Sequence, residues 1–351
     1  MSKFDLIVFG ASGFTGKRVI KYLRDRKVGY SVALSGRNEQ KLKDVQKEYG
    51  TNFGVVIADC GNPKSLLDMA KSAKVVLNCT GPFRFYGEAV VKACIEGGAH
   101  YTDITGEPQF IESMYETYNK EATSKGVTVV PACGFDSMPA ELGVMTAKEE
   151  YKKLGGVCHD IEMFISSIPG PEGSGGNFTT FESAVYGVSD AAKLRELRKK
   201  SLRPRVNTIG KLRIEKFPKK DPRAGWIVIF PGADPSDVKL SQQIQQLRSK
   251  DKEYVGVNFA AYAVIPNVFA LVGLLFGALV FVMLASFEYG RKMLLSYPEF
   301  FTVGSFSKKG PTEAQISGSS FSETFYCKGV VRNDKKEMVI RVDGPEMGYF
   351  Y

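Results

Sequence analysis

Residues 4–16 read FDLIVFGASGFTG, and this stretch decides the fold. A short apolar run ends in a turn with glycines at Gly10, Gly13 and Gly16, and helical spacing follows. Gly10 permits a tight turn, Gly13 lets backbone approach a pyrophosphate, and Gly16 lets a helix pack closely on a strand. The pattern predicts a strand, a phosphate-binding turn and a helix whose first N–H groups face the phosphates.

The same alternation continues for about 130 residues, where apolar runs are separated by segments with helical spacing. The runs are nearly continuously apolar, as expected for parallel strands covered on both faces. We therefore expect an α/β fold: a Rossmann doubly wound parallel sheet. The predicted strands are residues 4–10, 31–36, 53–59, 74–81, 100–106 and 127–134, and the predicted helices are 15–26, 39–49, 63–73, 87–96 and 108–124.

A length of 351 residues favours two domains. After Met138 the pattern becomes mixed, which predicts a second α/β domain with helices at 138–153 and 181–188 and strands at 159–168, 321–331 and 338–342. We place the dinucleotide-binding domain at residues 1–137, the first part of the substrate domain at 138–253, an apolar segment at 254–287 and the second part of the substrate domain at 288–351.

The strand ends supply the expected cofactor contacts, because ligands of such sheets lie outside the carboxyl ends of the strands. Arg37 stands where an NAD-preferring site places a carboxylate, so the sequence favours NADP(H) over NAD(H), although Arg37 would also suit a solvated turn. The expected cofactor-binding residues are Gly10, Ser12, Gly13, Phe14, Thr15, Gly16, Arg37, Asp59, Asn78, Thr80 and Gly81.

The residues that would transfer a proton are less defined. The chain has no Tyr-x-x-x-Lys pair. The catalytic candidates are therefore Tyr86, Asp103, Glu107 and Asp136, each of which would equally serve as a cap or turn residue. Six dispersed cysteines without a CxxC pair and two histidines predict no metal site and no disulfide framework.

Four longer motifs add a family resemblance: GASGFTG (10–16), NCTGPFRFYGE (78–88), DITGEPQF (103–110) and GFDSMPAELG (134–143). Together with GPEG, KKGPT and GPEMGY further on, they resemble the saccharopine dehydrogenase-like oxidoreductase family over nearly the whole chain. The resemblance implies a Rossmann domain and a mixed α/β substrate domain with a nicotinamide cofactor between them. It implies a generic NAD(P)-linked activity rather than lysine metabolism, and association with a membrane or lipid droplet.

The resemblance also raises two expectations about particular parts of the chain. Saccharopine-forming enzymes need basic side chains to hold substrate carboxylates, and Arg84 is the one obvious basic residue at a strand end here. One arginine gives little support for a substrate with several carboxylates. Relatives continue past the GPEMGY motif with a further helix, whereas this sequence ends at Tyr351. We therefore expect a second domain that is shortened at its C-terminus.

The segment 254–287 contains no Asp, Glu, Lys or Arg, and residues 268–285 contain no polar side chain. Eighteen helical residues would extend about 27 Å, close to the thickness of a hydrocarbon core. A span would place strands of one domain on opposite sides of a bilayer, so we expect two short helices, broken at Pro266-Asn267, that insert from one side. A core helix is the alternative, but it would normally show a polar stripe.

The net charge of +9 comes from residues 193–223, which hold thirteen Lys or Arg against three acids. This stretch would lie against anionic headgroups or form a solvated face, and nothing in it resembles a nucleic-acid reading motif. We therefore expect an NADP-dependent oxidoreductase with a lipid-like substrate on a lipid droplet or an organelle membrane such as that of the mitochondrion, facing the cytosol. The alternative is a catalytically inactive, membrane-anchored Rossmann binding protein, and a homodimer is compatible with either.

Overall fold

The computed structural model describes residues 3–249 and 254–345. The expected shortened C-terminus, at residues 346–351, and the predicted boundary at residue 253 lie outside these ranges. Two compact units form within the described chain. The first contains residues 3–134 and 177–197, and the second contains residues 135–176, 198–249 and 254–345.

The first unit is built on a six-stranded, fully parallel sheet of order β3-β2-β1-β4-β5-β6. From β1 the chain adds strands outward to β3 on one side, and from β4 it adds strands outward to β6 on the other side. The position between β1 and β4 is therefore the switch point, where ligands of such sheets bind. The strands are β1 (Phe4–Phe9), β2 (Val32–Gly36), β3 (Gly54–Ile57), β4 (Ala73–Asn78), β5 (His100–Asp103) and β6 (Val129–Val130).

Helices cover both faces of this sheet. Ile7 and Phe9 of β1 are buried in one apolar cluster, and Val8 between them is buried in the cluster on the opposite face. The expected strands and intervening helices are confirmed, with shifts of a few residues at their ends. The helices are α1 (Phe14–Asp25), α2 (Glu39–Tyr49), α3 (Pro63–Lys71), α4 (Phe83–Gly97) and α5 (Pro108–Ser124). The first unit also includes α7 (Phe178–Ser189) and the first part of α8 (Ala191–Lys200), from later in the chain.

The second unit is built on a mixed sheet of order β14-β13-β7-β11-β10-β9. Only the β7–β11 pair is parallel among the described strand pairs of this sheet. Val144 and Val238, from the helices α6 and α9, pack with Phe325 on one face. The elements are α6 (Met138–Lys153), β7 (Gly156–Ile168), β9 (Lys219–Asp221), β10 (Gly225–Ile229), α9 (Asp234–Arg248), β11 (Asn258–Ile265), β13 (Ser320–Val331) and β14 (Asp334–Pro345).

Six further elements complete the described chain. They are β8 (Gly176–Asn177), α10 (Val268–Ala285), α11 (Glu288–Ser296), α12 (Pro298–Phe301), β12 (Phe306–Ser307) and α13 (Glu313–Gly318). Of these, α10 is the one described helix that is long and apolar enough to cross a membrane.

The expectation of two short helices in residues 254–287 is wrong in its first half. Asn258–Ile265 is the strand β11, which pairs with β7 on one side and β10 on the other. The run is apolar because a central strand is covered on both faces. Pro266-Asn267 ends this strand, and the Asn267 side chain accepts a hydrogen bond from the Ala270 N–H to begin α10.

Helix α10 is not a core helix of this unit. Of its 18 residues, only Leu271 and Ala285 are buried. Phe269, Phe276 and Leu279 are 85%, 69% and 68% exposed. An apolar surface of this kind on a soluble protein indicates an interaction site or a lipid contact.

Candidate functional site

The first turn after β1 requires glycine at two positions. Gly10 has φ of +84°, and a Cβ there would lie 2.8 Å from Cγ2 of Thr80 at the end of β4. A Cβ on Gly16 would lie 2.3 Å from the carbonyl oxygen of Gly10. Larger residues would therefore force α1 away from β1 and β1 away from β4.

The N-terminus of α1 is open to a ligand. Its N-cap residue, Gly13, has no side chain to cap the helix, and the structure shows no side-chain cap there among the described residues. Gly13 is exposed, whereas Ser12, Phe14 and Thr15 around it are half-buried. The first N–H groups of a helix and its positive dipole end attract an anion. A diphosphate therefore fits this turn.

The helices that follow β2 and β3 begin differently. Asn38 and Asn62 cap α2 and α3 by accepting hydrogen bonds from backbone N–H groups of the first turn. Such caps satisfy the same N–H groups that α1 leaves open. Of these three helices, α1 is thus the one without a side-chain cap among the described residues.

Arg37 and Asp59 follow the adjacent strands β2 and β3. Arg37 is exposed and has no ion-pair partner among the described residues. Asp59 is half-buried, and its Oδ1 accepts a hydrogen bond from the Gly61 N–H at 2.8 Å. Asp59 thus shapes the turn before α3, while Arg37 has a guanidinium available for an anionic ligand.

Polar side chains connect the ends of β4 and β5. Asn78 is buried, and its Oδ1 accepts hydrogen bonds from the Thr80 N–H, at 3.0 Å, and from the Thr80 hydroxyl. Its amide donates to the Tyr101 hydroxyl at 3.2 Å. Gly81 follows, and a Cβ there would lie 3.0 Å from Cγ2 of Thr179. The structure therefore brings Gly10, Asn78 and Thr80 together at the switch point.

Asp103 ends β5 and is fully buried. Its Oδ2 accepts a hydrogen bond from the Tyr101 hydroxyl at 2.6 Å, and its Oδ1 accepts from the N–H groups of Thr105 and Ala132. Burial raises the pKa of Asp103 to about 6. Because its own unit satisfies both oxygens, the geometry favours a structural role that holds the ends of β5 and β6 together.

Glu107 caps α4 from a distant part of the chain. The N-cap of α4, Pro82, has no capping side chain, and the Glu107 carboxylate accepts hydrogen bonds from the N–H groups of Phe83 and Arg84 at 2.8 and 3.3 Å. It also accepts from the Ser183 hydroxyl at 3.0 Å. This role was missed from the sequence, because no local spacing connects Glu107 with a helix that begins 24 residues earlier.

Arg84 is buried between two acids of its own unit. Its Nε lies 2.6 Å from Oε2 of Glu107, and its Nη1 lies 2.9 Å from Oδ2 of Asp190, just after α7. The arginine side chain is 7% exposed. Arg84, considered from the sequence as a contact for a substrate carboxylate, is thus neutralised within the first unit and ties the α7 region to α4.

Tyr86 is the exposed candidate of the first unit. It lies in the first turns of α4 with 44% of its surface exposed. Its ring makes an edge contact with Phe85 at 6.2 Å, and Phe85 makes a second one with Tyr186 at 5.0 Å. The Tyr86 hydroxyl therefore has no hydrogen-bond partner among the described residues of the first unit.

In the second unit, Asp136 is half-buried and interacts electrostatically with two buried acids, Asp234 and Glu323. Its Oδ2 accepts a hydrogen bond from the Ala233 N–H at 3.0 Å. Asp234 and Glu323 are fully buried, and their carboxyl oxygens have no hydrogen-bond partner in the described chain. Burial is the main cause that raises the pKa of Asp136 to about 7, that of Glu323 to about 8, and that of Asp234 well above its usual range, and the charge of Asp136 contributes to the last two shifts. These acids therefore retain protons near neutral pH.

Asp234 and Glu323 were missed from the sequence, although Glu323 gave a signal as a charged residue inside an otherwise apolar and small-residue run. In residues 3–249 and 254–345, no group of His, Cys, Asp or Glu side chains is arranged to hold a metal ion.

The open glycine turn, the parallel sheet and its switch point define a dinucleotide-binding α/β protein. Residues 6–130 match the family model described as the saccharopine dehydrogenase NADP binding domain. The human saccharopine dehydrogenase-like oxidoreductase is 39% identical over 370 aligned residues, which cover 99% of this chain and 85% of that protein. The chain belongs to the saccharopine dehydrogenase-like oxidoreductase family.

Two further comparisons extend this result. A Caenorhabditis elegans relative named lipid droplet localized protein is 34% identical, with 99% of this chain and 86% of that protein covered. The structure of apo saccharopine dehydrogenase (L-Glu forming) from Saccharomyces cerevisiae matches with a TM-score of 0.59 at 13% identity, over 98% of this chain and 86% of that one. The latter likeness supports the fold.

The buried acids predict a pH-dependent stability. Folding raises the pKa of Glu323 from near 4 to about 8. The contribution of protonated Glu323 to stability is therefore complete below about pH 4, and it is lost as the pH rises towards about 8. We expect the unfolding free energy of the protein to fall relative to that of Glu323→Gln, by up to roughly 1.4 kcal/mol per pH unit in this interval. Urea unfolding at pH 5, 6.5 and 8 measures the difference.

Glu337→Gln is the matched control, because Glu337 is exposed on the neighbouring strand β14. Its stability difference from the unmodified protein should stay nearly constant with pH. Parallel pH profiles for Glu323→Gln and the unmodified protein would show that Glu323 is not held protonated by burial.

Proposed function

We propose that the protein is an NADP-dependent oxidoreductase held at a lipid surface, where it transfers hydride between the nicotinamide and a hydrophobic, lipid-like substrate. The observation that carries this proposal is the open N-terminus of α1 beside Gly10 and Gly13 at the switch point. The family of the chain and its match to an NADP binding domain support the same activity.

The residues around the switch point suggest how the cofactor would be held. The N–H groups of Phe14 and Thr15 would bind the diphosphate, as at other helix N-termini, while the Gly13 N–H donates to the Gly10 carbonyl at 2.9 Å. Arg37 would pair with the 2′-phosphate and Asp59 would meet the adenine edge. Thr80 and Gly81 would line the ribose of the nicotinamide, which supplies the hydride chemistry when bound.

The role of Arg37 predicts a change in cofactor preference. Arg37→Ala removes the guanidinium proposed to pair with the 2′-phosphate, so we expect roughly tenfold weaker NADPH binding, equivalent to about 1.4 kcal/mol, with NADH binding unchanged. Titrations followed by nicotinamide fluorescence measure both affinities. Arg26→Ala, at the opposite end of α1, should alter neither. Equal losses for NADPH and NADH in Arg37→Ala would argue against a 2′-phosphate contact.

Helix α10 supports the lipid attachment. Its exposed residues are apolar on all sides, so no orientation places a polar face towards water. Lipid removes this surface from water without a matching protein partner. The name of the Caenorhabditis elegans relative supports a lipid droplet as the surface. We place the anchor on a droplet or an organelle membrane, facing the cytosol.

The sheet of the second unit favours insertion from one side. α10 begins directly after β11. The next strand of the same sheet, β13, follows after residues 286–319, which include seven charged residues. A helix that crossed a bilayer would require this charged connection to cross back, which is costly. Arg291 of α11 donates a hydrogen bond to the Ala285 carbonyl at 3.1 Å, so a polar helix covers the end of α10. Both ends of α10 would therefore lie at one lipid surface.

Substitutions on α10 test the attachment without removing the strand β11. Phe276→Ser with Leu279→Ser places two hydroxyls on the exposed helix, and we expect most of the protein to move from the membrane and droplet fraction to the soluble fraction. Cell fractionation with flotation measures the distribution. Leu247→Ser with Val339→Ser changes two residues of comparable exposure elsewhere in the second unit and should leave the distribution unchanged. Identical distributions for the two variants would contradict lipid insertion by α10.

Two arguments support a lipid-like substrate. The proposed anchor would bring the protein to a surface where apolar molecules are concentrated. In addition, Arg84 is already paired with Glu107 and Asp190, so it would not recognise a substrate rich in carboxylates. Both arguments favour an apolar substrate over an amino-acid derivative.

A catalytically inactive, anchored binding protein is the second candidate. It is favoured by Asp103 and Glu107, whose carboxylate oxygens are occupied by hydrogen bonds within the first unit. Tyr86 and Asp136 remain as proton donors for an enzyme. Oxidation of NADPH that depends on added lipid extract, and that weakens in Tyr86→Phe or Asp136→Asn, supports the enzyme. NADPH binding without turnover on any extract supports the binding protein.

A further inference from the structure

We propose that the β9–β10 edge of the second unit's sheet, next to the end of β11 from which α10 follows, is a binding surface for anionic lipid headgroups, with Lys216 and Lys220 as phosphate contacts and Phe217 and Trp226 at the lipid interface. This inference rests on the lipid attachment proposed above. It adds the lipid chemistry that the surface recognises and the part of the second unit that faces it.

Strand register places the first part of this surface beside α10. Ile265, the last residue of β11, pairs with Trp226 of β10, and Trp226 pairs with Lys220 of β9. Paired residues of antiparallel strands share one face, and adjacent strands lie about 4.8 Å apart, so the row from Ile265 to Lys220 is about 10 Å wide. Asn267, two residues after Ile265, is the N-cap of α10. Lys220 and Trp226 therefore lie next to the base of the apolar helix.

The chain leading into β9 exposes an aromatic residue between lysines. Residues 216–220 read KFPKK, and the Phe217 side chain is 82% exposed. β9 is the edge strand of its sheet, so no further strand covers this segment in the described structure. An exposed aromatic residue among lysines is typical of surfaces that enter the interface of anionic lipids.

The ion pairs show which cations are available. Lys219 pairs with Glu215 at 3.1 Å, and Arg223 pairs with Asp221 and Glu162 at 2.9 and 2.8 Å. Lys216 and Lys220 are exposed and have no ion-pair partner among the described residues. The uncompensated positive charge of this edge is thus carried by two lysines on either side of Phe217 and Pro218.

Trp226 supplies a probe at the proposed surface. It is the only tryptophan of the chain and it is half-buried. Tryptophan is enriched at membrane interfaces, where its ring is apolar and its N–H can remain hydrated. Its emission therefore reports the environment of this edge alone.

The opposite end of the same sheet provides a matched control. Lys335 and Lys336 lie at the β13–β14 turn, where Val331 pairs with Asp334, and both lysines are exposed. Val331 also pairs with Gly156 at the start of β7, whereas α10 follows the end of the parallel strand β11. If any exposed lysines of this sheet promote lipid binding, substitutions at both ends of the sheet should weaken it. If the surface beside α10 binds the lipid, only substitutions of Lys216 and Lys220 should weaken it.

The test uses the full chain with vesicles of phosphatidylcholine alone or with about one third phosphatidylserine. We expect tighter binding to the serine-containing vesicles in flotation, with quenching of Trp226 by lipids brominated near the headgroup. Lys216→Gln with Lys220→Gln should weaken binding to these vesicles by roughly thirtyfold, about fivefold per lysine, and leave binding to phosphatidylcholine unchanged. Lys335→Gln with Lys336→Gln should change neither affinity.

The outcomes separate this inference from the attachment itself. Flotation without quenching of Trp226, or equal losses in the two lysine variants, would overturn the headgroup surface while leaving insertion by α10 intact. Retention of the protein on duplex DNA that is lost in Lys216→Gln with Lys220→Gln, without a preference for phosphatidylserine, would assign the edge to nucleic acid and overturn the inference. No flotation on either vesicle would instead reject the lipid attachment.

Discussion

The close approach of backbone atoms at the first βα turn is the constraint on which the site depends. The absence of side chains at Gly10 and Gly16 lets β1, α1 and the end of β4 meet without steric conflict. The absence of one at Gly13 leaves the N–H groups of α1 open, whereas asparagines close the helices that follow β2 and β3. A single turn thus permits the close packing of β1, α1 and β4 and leaves a helix N-terminus of the kind that binds anions.

Buried charge organises the rest of each unit in two contrasting ways. In the first unit, Glu107 and Arg84 are paired and hydrogen-bonded, so their charges hold α4 and the α7 region in place. In the second unit, Asp234 and Glu323 lack partners in the described chain and retain protons instead. The first arrangement pairs Arg84 within its own unit, and the second predicts a stability that depends on pH.

The sequence predicted those features that arise from short-range patterns. Apolar runs separated by helical spacing identified the first sheet, and the glycine triplet identified the tight turn and the open start of α1. Composition alone could not separate the strand β11 from the helix α10, because the central strand and the exposed helix are both continuously apolar. The capping of α4 by Glu107 and the membership of α7 in the first unit depend on tertiary contacts, which no local spacing encodes.

The most direct measurement is a titration with NADPH, followed by nicotinamide fluorescence, of the unmodified protein, Gly13→Ala and Gly29→Ala. A Cβ on Gly13, the N-cap of α1, would lie 3.2 Å from the Gly10 carbonyl oxygen, whereas one on Gly29 would meet no atom within 4 Å. We expect saturable binding that is at least about tenfold weaker in Gly13→Ala and unchanged in Gly29→Ala. Equal affinity in all three proteins, or no binding of NADPH by the unmodified protein, would contradict a dinucleotide site at the first turn.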